Sequence, residues 1–160
     1  GHFDGMAQIV YKLLRVVNPN KLFMGLKDYQ QQLIVAELIR KRKLATKLVA
    51  QETKREKDGL AMSSRNVRLD SKSRKVAVEI SKALKLIKGK VIKSKTQKEL
   101  VEIQEKGLNY LKKSKALEVE YLEIRNAKTL KVPASGREKL VALIAAKIGG
   151  VRLIDNMLLN

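Results

Sequence analysis

Two short stretches of this sequence concentrate groups able to handle phosphate. In Asp58-Gly59-Leu60-Ala61-Met62-Ser63-Ser64-Arg65-Asn66 a turn dipeptide and an apolar link lead into two hydroxyls, a guanidinium and an amide. Core packing has no use for that order. A loop that holds phosphate uses all of it: hydroxyl and backbone N–H donors, a fixed positive charge, and a glycine where the backbone can come close. The second stretch is Gly25-Leu26-Lys27-Asp28-Tyr29-Gln30-Gln31. Here Gly25 admits a ligand, Lys27 supplies a mobile positive charge and Asp28 accepts from hydroxyls. Gln31, one helical turn on, can both donate and accept. Each stretch also has a plainer reading. The heptad matches an ordinary strand-to-helix loop with an Asp cap, and the Ser-Ser pair matches a turn before a helix.

The elements around them decide between these readings. Residues 3–17 predict an amphipathic helix with Met6, Ile9, Val10, Leu13, Leu14 and Val17 on one stripe, stopped at Asn18-Pro19. Leu22-Phe23-Met24 and Leu48-Val49-Ala50 predict short buried strands, with a helix between them capped by Asp28 and running to about Lys43. Strands that are apolar throughout and separated by helices indicate a parallel sheet. Ligands then sit at the carboxyl ends of the strands, which assigns both polar stretches to one rim. After Asn66 the pattern changes. Asp70 predicts a helix over 71–88 ended by Gly89, and Thr96 with Glu99 a capping box for a helix to about Lys113. Residues 117–125 predict a strand. Residues 140–148 and 151–154, joined by Gly149-Gly150, predict an antiparallel hairpin. The expected fold class is α/β: part of a parallel sheet with flanking helices over 1–55, then a small α+β domain with an antiparallel sheet over 56–160.

The totals exclude several functions. There are no cysteines, so disulfides and thiolate metal sites are ruled out, and the single histidine, His2, rules out a His-rich metal site. Hydrophobic residues make up 44% and charged residues 32%, a globular rather than a disordered balance. No run of about 18 apolar residues is present, and no basic-then-apolar leader pattern, so a cytoplasmic protein without membrane contact is expected. The formal charge of +19 raises a competing function, a basic nucleic-acid-binding module. Against it, the basic residues are spread along the chain and aromatics are only 4% and not interleaved with them. No helix-turn-helix, zinc-finger or RNA-recognition signature occurs.

Four segments, with the spacings between them, resemble the pantoate–β-alanine ligase family: Gly1-His2-Phe3-Asp4-Gly5, Gly25 through Gln31, Asp58 through Asn66, and Arg152-Leu153-Ile154-Asp155-Asn156. The resemblance runs from residue 1 to residue 160. It implies a Rossmann-like nucleotide-binding domain, of which residues 1–55 are the later part, followed by a lid. It implies two steps. Pantoate carboxylate attacks the α-phosphorus of ATP to give pantoyl adenylate and pyrophosphate, and the β-alanine amine then displaces AMP. Carried over by match, Lys27 contacts the phosphates and the adenylate, Gly25 and Asp28 lie at the ribose, and Gln31 holds pantoate. Met62, Ser63, Ser64 and Arg65 form the phosphate-gripping run, with the Met62 backbone near adenine and Thr53-Lys54-Arg55 along the adenine edge. Lys27, Ser63, Ser64 and Arg65 are the implied catalytic residues.

The sequence also departs from the family. Position 26 is Leu where Glu is usual, which removes a carboxylate beside Lys27. The family's HxGH-type histidine motif, first pantoate glutamine and acidic residues around Mg²⁺ are not found in these residues. The expectation is therefore a C-terminal portion of such an enzyme, inactive alone or complemented in trans, with ATP as cosubstrate and no metal ligand of its own. An uncovered strand edge or apolar patch in residues 1–55 is a further expectation. The family's homodimer contact lies mainly in the part not found here and does not carry over.

Overall fold

The computed structural model describes residues 1–160, which form two units, Gly1–Thr53 and Lys54–Asn160. The fold is mixed α/β, with a parallel two-stranded sheet in the first unit and an antiparallel three-stranded sheet in the second. No helix is long and apolar enough to cross a membrane.

The first unit opens with α1 (His2–Val17), which stops where Asn18 turns left-handed at φ 45° just before Pro19. Strands β1 (Lys21–Gly25) and β2 (Lys47–Gln51) pair in parallel, in register from Lys21 opposite Lys47 to Gly25 opposite Gln51. Both strands therefore end at the same edge of the sheet, as the helix-separated apolar runs predict. Between them α2 (Tyr29–Lys41) follows a single 3-10 turn at Leu26–Asp28. Asp28 stands at the N-cap position, but its carboxylate makes no capping bond, contrary to expectation. Its ψ of 60° is not the extended geometry from which a cap side chain reaches back. The helix ends at Lys41, two residues early, in a Schellman closure. Leu44 N–H donates to Ile39 O at 3.0 Å and Lys43 N–H to Arg40 O at 3.2 Å, with Lys43 itself at φ 49°.

The strands of this unit are less buried than their composition predicts. Phe23 is 62% exposed, because only two strands are present and nothing in the unit covers that side chain. On α1, Leu14 is buried while Ile9, Leu13, Val16 and Val17 are exposed, so much of the apolar stripe is left uncovered. Exposed apolar area of this kind drives association. The chain is expected to self-associate with rising concentration in sedimentation velocity runs, and Leu13→Lys with Val17→Lys to suppress it. A chain that stays monomeric at high concentration would contradict this.

The second unit is built on α3 (Ser71–Val91) and α4 (Gln97–Lys112), packed against the three-stranded antiparallel sheet. Asp70 caps α3 by accepting from Ser73 N–H at 2.6 Å. The capping box at Thr96 and Glu99 forms in both directions, at 3.2 and 2.9 Å. α3 runs through Gly89, the predicted stop, to Val91, because Val91 is buried and its packing keeps the last turn helical. Gly107 lets the two helices approach: a Cβ there would stand 2.7 Å from Ile87 Cδ1. Strand β3 (Glu118–Asn126) pairs antiparallel with β4 (Leu140–Ile148), and β4 with β5 (Val151–Leu158). Gly149 and Gly150, at φ 54° and 72°, make the predicted two-residue turn. β5 extends past residue 154 to Leu158, so Asp155 lies within the strand, opposite Ile144. β4 is the central strand and is buried along nearly all its length. Its Leu140, Ala142, Ile144, Ala146 and Ile148 join Ile80, Leu84 and Ile87 of α3 in one core.

Candidate functional site

In the first unit, the carboxyl end of β1 and the 3-10 turn bring Gly25, Lys27, Asp28 and Gln31 together. Gly25 has an extended backbone, φ −72°, that any residue adopts, and a Cβ there would meet nothing within 4 Å. Neither strain nor packing asks for glycine at that position. Lys27 and Gln31 are half-buried and Asp28 is exposed. Tyr29, at the start of α2, is buried, and burial pushes its phenol above the usual range.

In the second unit, residues 54–62 fold back on themselves as a short hairpin. Met62 N–H donates to Lys54 O at 2.9 Å, Glu56 N–H to Leu60 O at 2.8 Å, and Gly59 N–H to Glu56 O at 2.8 Å. The Asp58-Gly59 turn forms as predicted. Gly59 adopts φ 92°, and Leu60 N–H donates to Asp58 Oδ1 at 3.1 Å. Three side-chain ties then fix the hairpin. Arg55 makes a bidentate pair with Asp155 on β5, at 2.7 and 3.0 Å. Arg74 of α3 donates to Glu56 at 2.7 Å and to Asp58 at 2.8 Å. Asn66 Nδ2 donates to Glu56 at 2.7 Å and to Ala61 O at 3.1 Å.

The phosphate-type run leaves this hairpin directly. Ser63 caps a 3-10 turn, Ser64–Arg68, by accepting from Arg65 N–H at 3.2 Å. The side chains of Met62, Ser64 and Arg65 are exposed, and Ser63 is half-buried. Asn66, the amide that ends the run, is turned inward. It is 5% exposed and serves as an internal tie, with its Oδ1 left without a partner. An open depression of about 510 Å³ lies against the hairpin, lined by Lys54, Lys57, Met62 and Arg74 among others. No group of three or more His, Cys, Asp or Glu side chains converges, so these residues form no protein-only metal site.

The carboxylates of the hairpin set its pH response. Glu56 is held below the usual range by the Arg74 hydrogen bond first and by Asn66 second. Asp58 is held below its usual range by Leu60 N–H first, with Arg74 contributing. A lowered folded-state value stabilises the fold above the unfolded-state value and is lost as pH falls through the folded one. Hydrogen-exchange protection of Met62 N–H is therefore expected to be flat from pH 7 down to the ordinary carboxylate range. Below it, protection should fall earlier than that of the core amides of α3. Equal loss at all these amides would mean that the ties contribute nothing separate.

Sequence reasoning assigned no role to Arg55, Glu56, Arg74 or Asp155 beyond the segments they sit in. The signal for two of them was present: Arg55 ends the Thr53-Lys54-Arg55 stretch, and Asp155 lies in the Arg152–Asn156 segment. Arg74 has no local signal, being one of many basic residues on a helix.

The pantoate-beta-alanine ligase family model matches residues 1–158. The pantothenate synthetase of Cytophaga hutchinsonii is 40% identical over 161 residues, covering 99% of this chain and 56% of its own length. That of Caldicellulosiruptor bescii is 36% identical, covering 100% and 56%. Among solved structures, a pantothenate synthetase from Thermus thermophilus superposes with a TM-score of 0.91 at 32% identity, over 99% of this chain and 56% of that one. A Francisella tularensis pantoate-beta-alanine ligase, complexed with beta-gamma ATP and beta-alanine, superposes with a TM-score of 0.67 at 30% identity, over 99% and 51%. The chain thus spans about half the length of the relatives it matches. With its whole length matched, and with both polar loops formed on the elements their spacing calls for, the chain belongs to the pantoate–β-alanine ligase family.

Proposed function

We propose that these residues supply the ATP-gripping part of an enzyme that condenses pantoate with β-alanine through a pantoyl adenylate. The observation that carries the reading is the Met62–Arg65 run. It exposes a hydroxyl and a guanidinium at the exit of a hairpin tied at three points, in a chain of this family. In the first step a pantoate carboxylate oxygen bonds to the α-phosphorus of ATP and the bond to the β-phosphate oxygen breaks, releasing pyrophosphate. Negative charge grows on phosphate oxygens, and Lys27, Arg65 and the hydroxyls of Ser63 and Ser64 offset it. In the second step the β-alanine amine bonds to the acyl carbon, AMP leaves and the amine sheds a proton. That step needs alignment and exclusion of water, the work of residues 56–160 acting as a lid in the cytoplasmic enzyme.

Gly25 and Asp28 take the ribose and Gln31 takes pantoate. Met62 N–H is committed to Lys54 O, so the contact of Met62 with a base edge runs through its carbonyl. An acceptor there suits the adenine amino group, and Lys54 flanks it. Mg²⁺ would accompany ATP, with the family's acidic residues around it, which are not among these 160, as its protein ligands. The test has two arms on the 160-residue chain. Calorimetric titration is expected to detect ATP binding. Pantoate-dependent ATP–pyrophosphate exchange is expected to be absent, since one histidine, at position 2, leaves no His-based motif for the first step. No ATP binding overturns the gripping role, and robust exchange overturns the incompleteness.

A further inference from the structure

We infer that Asp155 is a positioning residue: through Arg55 it locks the 54–62 hairpin and so presents Met62–Arg65 to the nucleotide. The inference rests on the nucleotide-loop reading above and extends it to a strand 100 positions away in sequence.

One guanidinium makes four bonds. Arg55 Nη1 donates to Asp155 Oδ2 at 2.7 Å and to Gly59 O at 3.2 Å, and Nη2 donates to Asp155 Oδ1 at 3.0 Å and to Asn156 O at 3.2 Å. It therefore closes the hairpin on itself, from its first arm to its turn, and fastens the closed hairpin to β5. The carboxylate is fixed in turn. Its side chain is 3% exposed, and Oδ1 also accepts Asn156 N–H at 2.8 Å. Only a planar fork matches both carboxylate oxygens and still reaches two carbonyls, so a lysine cannot replace Arg55. The second arm of the hairpin passes without a break into Met62 and Ser63, so an angular error at Arg55 is carried to the loop. The pair also gives a physical use to Asp155 in the Arg152–Asn156 segment. That carboxylate points at no solvent and sits in no metal cluster. Its partner is the hairpin.

The experiment compares Asp155→Asn, Asp155→Glu and the apolar pair Arg55→Met with Asp155→Leu in the whole 160-residue chain. Two quantities are read: ATP affinity by calorimetry, and hydrogen exchange at Glu56, Gly59 and Met62, with Ile80 and Leu84 as controls for the fold. Asp155→Asn is expected to speed exchange at the three hairpin amides by about tenfold or more and to weaken ATP by a similar factor, the controls staying slow. Asp155→Glu is expected to recover part of both. An apolar pair of similar volume can replace a buried ion pair without loss of fold, so the double variant decides the matter if Asp155→Asn unfolds. It should keep its melting temperature, lose hairpin protection and lose ATP affinity. Unchanged hairpin exchange in a folded variant overturns the inference. So does unchanged ATP affinity beside a loosened hairpin. If the unsubstituted chain binds no ATP, the nucleotide reading fails by itself, and the exchange data still decide whether Asp155 holds the hairpin.

Discussion

Alanine at Arg65 is expected to weaken ATP binding by about 10- to 100-fold while leaving the melting temperature within a degree or two. The two halves of that expectation have separate grounds. Arg65 is exposed, only its backbone N–H is bonded, to Ser63 Oγ, and no carboxylate pairs with its guanidinium. Trimming a surface side chain with no protein partner costs at most about 0.5 kcal/mol of stability. A hydrogen bond to a charged group contributes about 1.5–3 kcal/mol, which is the stated range in affinity. Arg65→Lys should fall between, since it keeps the charge and loses the fork that grips two phosphate oxygens at once. Lys27→Ala should weaken ATP by a comparable factor. Calorimetric titration of the four proteins gives the comparison. An Arg65→Ala protein with native affinity would remove this loop from the nucleotide site.

Leu84→Ala is expected to produce the largest loss of stability, about 2.7–5 kcal/mol. Leu84 has no exposed surface and belongs to the core that α3 shares with Leu140 and Ile144 of the central strand. Neighbours on the rigid strand cannot collapse into the space, so the cavity term adds to the transfer term. Against a total of about 5–15 kcal/mol, this is a large fraction. The midpoint of thermal unfolding should fall by about 10 °C or more. The same substitution should also loosen the site, because α3 carries Arg74, which holds Glu56 and Asp58 of the hairpin. Urea titration should show a lower midpoint at an unchanged slope. A midpoint shift under a third of that predicted would mean that the helix repacks.

Much of the fold is legible because its signals are local. The caps at Asp70 and Thr96 lie within three residues of the amides they satisfy. The Gly149-Gly150 turn states its own backbone angles. The errors are informative in the same way. Gly89 reads as a helix stop by propensity, yet the burial of Val91 outweighs a cost of about 1 kcal/mol. Asp28 reads as a cap by type and position, yet a 3-10 turn ahead of the helix takes its side chain out of reach. Phe23 reads as buried by hydropathy, but burial depends on which layers are present, and the unit offers none over that face.

By itself the sequence determined the family, the order of helices and strands, and the loops Gly25–Gln31 and Asp58–Asn66, because side-chain type and short spacing encode each of these. Only the tertiary structure decided what holds the second loop still. Arg55 is one of 35 basic residues, and nothing near it in the chain names its partner. It becomes a four-bond lock when β5 brings Asp155 within 2.7 Å. Asn66, the amide that ends the polar run, is turned inward by Glu56 and Ala61. A pairing across 100 positions has no spacing rule, since it depends on the packing of two elements whose separation along the chain is arbitrary.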